Sequence, residues 1–233
     1  LEGAVDRQAH LVNCWSAPDH QTIAVLFQPG YLQELVERVQ GHEKIEILTG
    51  AEITGFGGYK GNFTTEVIVG PDMYERKIDH GIVILATGAT EYQPKEFLYE
   101  ENDHVVTQVE LSDRLVKKGA ADLSSVVMIQ CVGSRDFRFY PFCSGYCCMH
   151  SIKEAIIAHE HGPETTSTIF GMDIRAVGKG FEEYKLRGGN ASGITYVRGR
   201  VAEITEGPDD NPVVTFEDTR ERKIKSQEFD LVI

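Results

Sequence analysis

Four of the chain's five cysteines fall between residues 131 and 148, spaced Cys131-x11-Cys143-x3-Cys147-Cys148 within CVGSRDFRFYPFCSGYCCMHSIKEA. Thiolates at that density serve one of three chemistries. Structural zinc is usually gripped by C-x(2–4)-C knuckles that converge on a tetrahedron with Zn–S of about 2.3 Å; only Cys143 and Cys147 fit a knuckle. Neighbouring helical residues point about 100° apart, so Cys147 and Cys148 suit the wider corners of an iron–sulfur cubane better than one small tetrahedron. A redox dithiol would use only two of the four. Inert buried thiols would leave the clustering unexplained. The expectations rank as iron–sulfur cluster, then zinc, then dithiol; Cys14 stands apart and is read as inert.

The surroundings favour free thiols. The chain has 233 residues, 41% of them apolar, and a formal net charge of −13 from 36 acids against 23 bases. That charge repels nucleic acid and anionic lipid surfaces. No apolar run approaches the roughly 20 residues of a membrane span, and no basic stretch precedes an apolar signal core. The cytoplasm is therefore the expected compartment, where clustered cysteines bind metal or do redox work rather than form structural disulfides. The chain begins at Leu1 and stops inside EFDLVI, which reads as a buried strand, so a fragment of a larger protein is expected.

A strand and a helix must position the cysteines. SSVVMIQCVGS (124–134) reads as a central strand, and YCCMHSIKEAIIAHEHG as a helix with Cys148, Ile152 and Ile156 on one face and Gly162 as its stop. TTSTIFG (165–171) is a second strand and GFEEYKLRG a short helix; strands GITYVRGRVAEIT, PVVTFED and FDLVI follow. That alternation predicts a parallel sheet wound with helices. Thr107 and Glu110 form a capping box for a helix carrying Leu111 and Leu115, ended by Gly119. Further upstream, TIAVLF (22–27) reads as a strand, and Pro29-Gly30 opens a helix on Leu32, Leu35, Val36 and Val39. KIEILTGAEITGF and FTTEVIV alternate as strands about a glycine-rich turn, GFGGYKG (55–61). GIVILATGAT (81–90) reads as a buried strand running into a small-residue turn.

Residues 45–84 also resemble residues 194–233 in the order of their strands, down to a shared ERKI at 75–78 and 221–224. The expected fold class is therefore α/β, with tandem Rossmann-like (FAD/NAD(P)-binding) domains, each bearing a three-stranded β excursion and the first only partly present. The expected boundaries are 1–95 for the end of the first domain, 96–120 for a connecting segment with a helix, and 121–233 for the second domain, truncated at its C-terminus.

Ala86, Thr87, Gly88 and Ala89 form a turn with little side-chain bulk, which lets backbone amides approach a dinucleotide. With the β excursion, this resembles the two-dinucleotide-domain flavoproteins that include thioredoxin reductase, in which the Ala-Thr-Gly turn contacts FAD. The resemblance implies a partial FAD site at those four residues. No G-x-G-x-x-G occurs, so the pyrophosphate loop is expected upstream of Leu1. In the second copy MIQCVGSRD stands where a glycine-rich nicotinamide loop belongs, and no NAD or NADP is expected there.

IQCVGSRD and YCCMHSIKEA, with ILATGATEYQP (84–94) and DIRAVGKGFEE (173–183), make the chain similar to the A-type subunits of heterodisulfide reductase and their relatives over most of residues 45–233. These are flavin and iron–sulfur proteins of anaerobic electron transfer. The resemblance implies a 4Fe–4S cluster on Cys131, Cys143, Cys147 and Cys148, and an oxidoreductase component passing electrons between FAD and that cluster to partner iron–sulfur subunits. It implies no acid–base catalytic residue and admits a homodimer. The alternatives are a zinc-binding docking domain without catalysis, and a pyridine nucleotide–disulfide oxidoreductase using a dithiol. Arg135 and Asp136 are read as solvated turn charges and Asp173 and Arg175 as structural. His150 is read as able to tune or ligate a metal, and His159 and His161 as favourable to the helix dipole.

Overall fold

The computed structural model describes residues 9–13, 31–87, 90–191 and 193–233. The expected strand at 22–27, together with Cys14, Gly88 and Ala89, lies outside the described residues. The chain divides into two compact units, Leu1–Thr90 and Glu91–Ile233. The fold is α/β, with parallel and antiparallel sheet.

In the first unit β1 (Ala9–Asn13) pairs in parallel with β2 (Ile45–Thr49), and α1 (Tyr31–Gln40) packs against β2. β3 (Ala51–Tyr59), β4 (Asn62–Val69) and β5 (Tyr74–His80) form an antiparallel sheet. Leu48, Ala51, Val67 and Ile78 make a small core, and Arg76 of β5 grips the Glu46 carboxylate of β2 with both terminal guanidinium nitrogens.

Two expectations fail here. Residues 55–59 continue β3 through a bulge between Ile53 and Gly55, and the reversal falls at Lys60-Gly61. Glycines signal a turn only where pairing does not claim them, and here Gly55, Gly57 and Gly58 all face residues of β4. Residues 82–87 form no strand, and Ile84 and Leu85 are 86% and 85% exposed. An apolar run becomes a buried parallel strand only with neighbours on both edges, and among the described residues none pairs with it.

The second unit carries a six-stranded sheet. β6 (Ser125–Ile129), β7 (Thr166–Gly171), β8 (Ile194–Glu206), β9 (Pro212–Asp218), β10 (Lys223–Glu228) and β11 (Leu231–Val232) run in the order β10-β9-β8-β7-β6-β11. β8, β7, β6 and β11 are mutually parallel, while β8, β9 and β10 form the antiparallel excursion. The parallel part therefore has the order third, second, first, fourth of a dinucleotide-type fold. α2 (Gln108–Lys117), α3 (Cys147–His161) and α4 (Phe181–Asn190) complete it, with α3 packed on β7, α2 and α4. The capping box forms: the Thr107 hydroxyl accepts from the Glu110 N–H and the Glu110 carboxylate from the Thr107 N–H. Val127, Phe170, Val214, Phe216 and Phe229 are fully or almost fully buried in one core, with the Phe170 and Phe216 rings 4.4 Å apart. Among the described residues no helix is long and apolar enough to cross a membrane.

Candidate functional site

Strand order reverses between β6 and β11, so the C-terminal end of β6 opens where doubly wound sheets take ligands. The cysteine loop starts there. Cys131, Gly133 and Arg135 have φ of 66°, 66° and 55°, a left-handed conformation that cysteine and arginine seldom adopt. Such strain persists only where the surroundings enforce it, and it gathers at functional sites. The enforcement is a set of backbone hydrogen bonds: Ser134 N–H to Cys131 O (3.2 Å), Arg135 N–H to Phe142 O (3.1 Å), and Tyr140 N–H to Gly133 O (3.2 Å). Left-handed residues mixed into a turn belong to the backbone concavities that hold anions in phosphate and iron–sulfur sites.

The loop returns to Cys147 and Cys148, the first two residues of α3. Tyr146 caps that helix without a side-chain hydrogen bond, so the positive end of the helix acts on the thiols. All four cysteines are free, with Cys148 buried and the others half-buried. The Gly145 N–H donates to Cys143 Sγ at 3.3 Å, and the Ser144 hydroxyl to Cys147 Sγ at 3.6 Å. A hydrogen bond from the Cys148 thiol, together with those from Ser144 and the Cys131 N–H, overcomes burial and pulls the Cys147 thiol down to about 6. Cys148, which gives that bond and is buried, is pushed well up, while the Arg175 N–H points to its sulfur. Burial raises Cys131, as do the charges of Cys147 and Cys143; Arg135, 4.0 Å from its Sγ, works the other way. Cys131 follows β6, Cys147 and Cys148 open α3, and Cys143 lies in the loop between them.

The charged residues of the loop are paired rather than simply solvated, a correction to the sequence expectation. Arg135 pairs with Asp173, and Asp136 accepts from Arg138 (2.7 Å) and Arg200 (3.4 Å). Nor is His150 aimed at the sulfurs. It is buried, with Nε2 3.1 Å from Glu154 Oε1 and 3.3 Å from the Ser112 hydroxyl, which itself bonds Glu154. Gln108 of α2 donates to the Cys147 carbonyl (3.3 Å) and, with Gln130, to the Ser151 hydroxyl. This buried polar network locks the cysteine helix to α2 and β6. Sequence reasoning misses it because Ser, Glu and Gln on a helix are ordinarily exposed; the i, i+4 spacing of His150 and Glu154 is the available signal.

In the first unit Ala86 and Thr87 are exposed and outside regular structure. In the second, a cleft of about 100 Å³ is bounded by Gln130, Cys131, Gly133, Phe170, Gly199 and Arg200. It is small beside the roughly 300–1,000 Å³ of small-molecule pockets. Among the described residues no three Cys, His, Asp or Glu side chains are already arranged as ligands of a single metal ion. The donor set nevertheless fits an iron–sulfur cluster chemically: four free thiols lie on one loop, two of them at a helix start, with the Gly145 N–H and the Ser144 hydroxyl as hydrogen-bond donors.

No family model matches the chain. The chain is 38% identical over 174 residues to the A-type subunit of the H2:CoB–CoM heterodisulfide, ferredoxin reductase of Methanothermobacter thermautotrophicus, covering 68% of this chain and 26% of that protein. It is 39% identical over 180 residues to an A-type iron–sulfur subunit of the CoB–CoM heterodisulfide reductase of Methanopyrus kandleri, covering 70% and 27%. Among solved structures, a Lactococcus lactis thioredoxin reductase superposes with a TM-score of 0.48 at 16% identity, covering 96% of this chain and 67% of that one. By its sequence, this chain is a homologue of the A-type subunits of heterodisulfide reductase, and it spans about a quarter of the length of the relatives it matches.

Proposed function

We propose that the chain is the cluster-bearing part of an electron-transferring oxidoreductase subunit, with Cys131, Cys143, Cys147 and Cys148 as the ligands of a 4Fe–4S cluster. The observation that carries this reading is that one loop, running from the end of β6 to the start of α3, carries all four thiols, with left-handed backbone at Cys131 and two of the thiols on the first turn of the helix. When bound, the cluster supplies one-electron carriage. The chain supplies the rest. The start of α3 and the N–H groups of Gly145, Cys131 and Arg175 offset the negative charge of the sulfurs, and Arg135 brings a cation to Cys131. The Ser112–His150–Glu154 network fixes the helix that presents two of the ligands. Ala86, Thr87, Gly88 and Ala89 belong, on this reading, to an FAD site completed by other parts of a longer cytoplasmic protein. Its partners are other iron–sulfur subunits, in keeping with relatives named as one subunit of a larger enzyme.

Isolation without oxygen tests the reading. A brown protein whose dithionite-reduced form gives an S = 1/2 electron paramagnetic resonance signal is expected. Colourless protein with stoichiometric zinc would favour the docking-domain alternative, and metal-free protein cycling between a Cys147–Cys148 dithiol and its disulfide would favour the dithiol.

A further inference from the structure

Tyr92 follows the small-residue turn by only a few positions, and its ring lies against the cysteine loop. A Cβ placed on Gly133 would stand 2.4 Å from Tyr92 Cε1 and 2.6 Å from Cδ1. The bare backbone of Gly133 is thus in contact with the ring, and no side chain fits between them. The ring also meets Phe139 (centroids 6.0 Å apart, planes at 64°) and Tyr140 (6.1 Å, 89°), the edge-on geometry that aromatic pairs prefer. Tyr140 packs in turn on Phe142 at 5.6 Å. Tyr140 and Phe142 are the residues whose backbones hold Gly133 and Arg135 in their left-handed conformations.

We propose that Tyr92 is a positioning residue for the iron–sulfur site: its ring braces the Cys131–Arg135 loop and walls its Gly133 side from water. This rests on the cluster reading above. Tyr92 acts through Gly133 and the aromatic residues of the loop. Removing the ring frees the strained loop and admits solvent. Solvent exposure is among the determinants of iron–sulfur potentials, and water stabilises the more negative, reduced cluster, so the potential rises. Solvent access also speeds oxidative loss.

The test uses the whole chain, loaded with iron and sulfide without oxygen, as wild type, Tyr92→Phe and Tyr92→Ala. Iron and sulfide content, midpoint potential and the rate of bleaching in air are measured on each. Equal loading in all three is expected, with Tyr92→Phe matching the wild type and Tyr92→Ala more positive in potential and bleaching several-fold faster. Should Tyr92→Ala not fold, Tyr92→Leu, which keeps apolar volume but loses the flat face, is expected to shift the same way. A fully loaded Tyr92→Ala or Tyr92→Leu with wild-type potential and bleaching overturns the inference and leaves the cluster reading standing. A wild-type chain that takes up neither iron nor sulfide overturns both.

Discussion

The Asp173 carboxylate, just past the end of β7, is paired with the Arg135 guanidinium of the cysteine loop. β7 is the second strand of the parallel order, and an acid beyond that strand is what a dinucleotide fold uses to read a ribose. Here that acid is engaged by the loop, and its pairing with Arg135 holds it below the usual carboxylate range.

NADH and NADPH are therefore expected to show no saturable binding to the cluster-loaded chain in a fluorescence titration. Micromolar binding abolished by Gly133→Leu, with the cluster intact, would contradict this.

Cys147 is the acidic thiol. An attacking thiolate forms as pH rises through the pKa, so a lowered pKa moves reactivity to lower pH. In the metal-free chain, iodoacetamide labelling followed peptide by peptide is expected to reach half its plateau rate near pH 6 at Cys147, where the thiol is pulled down to about 6. Cys131 and Cys148, both raised, are expected to label only at higher pH than a free cysteine. Cys148→Ala removes the leading hydrogen bond and is expected to move the Cys147 midpoint upward; an unmoved midpoint counts against that cause.

Gly188 sits in α4, where alanine is ordinarily worth about 1 kcal/mol over glycine. Here a Cβ would lie 2.6 Å from Ile152 Cγ2 and 2.6 Å from the Tyr196 hydroxyl. Neither neighbour can yield: Ile152 is fully buried in α3, and the Tyr196 hydroxyl donates to the Lys185 carbonyl at 2.9 Å. Overpacking of this kind costs about 1–3 kcal/mol, so Gly188→Ala is expected to lower the urea midpoint. A higher midpoint would show that α4 can move away from α3.

The cysteine helix, its stop at Gly162 and the capping box at Thr107 are all legible in the sequence, because periodicity, a small set of cap residues and glycine report local geometry directly. So is the alternation behind β6, α3, β7, α4 and β8. Pairing is less legible. GFGGY has the composition of a turn and lies in β3, and GIVIL has that of a buried strand and lies largely exposed, since composition does not say which neighbour an extended segment finds. At the site, the cysteines announce themselves by spacing. The ion pair of Arg135 with Asp173 and the bond between Ser112 and Glu154 join residues 38 and 42 positions apart, and no local pattern encodes them.

The most direct test of the central claim is the count of iron and acid-labile sulfide in the anaerobically reconstituted chain, beside the same count for Cys147→Ser/Cys148→Ser. About four of each per wild-type chain, falling to background in the double variant, is the predicted result. Undiminished iron and sulfide in the double variant, or a wild-type chain with neither, would contradict the assignment of these cysteines as cluster ligands.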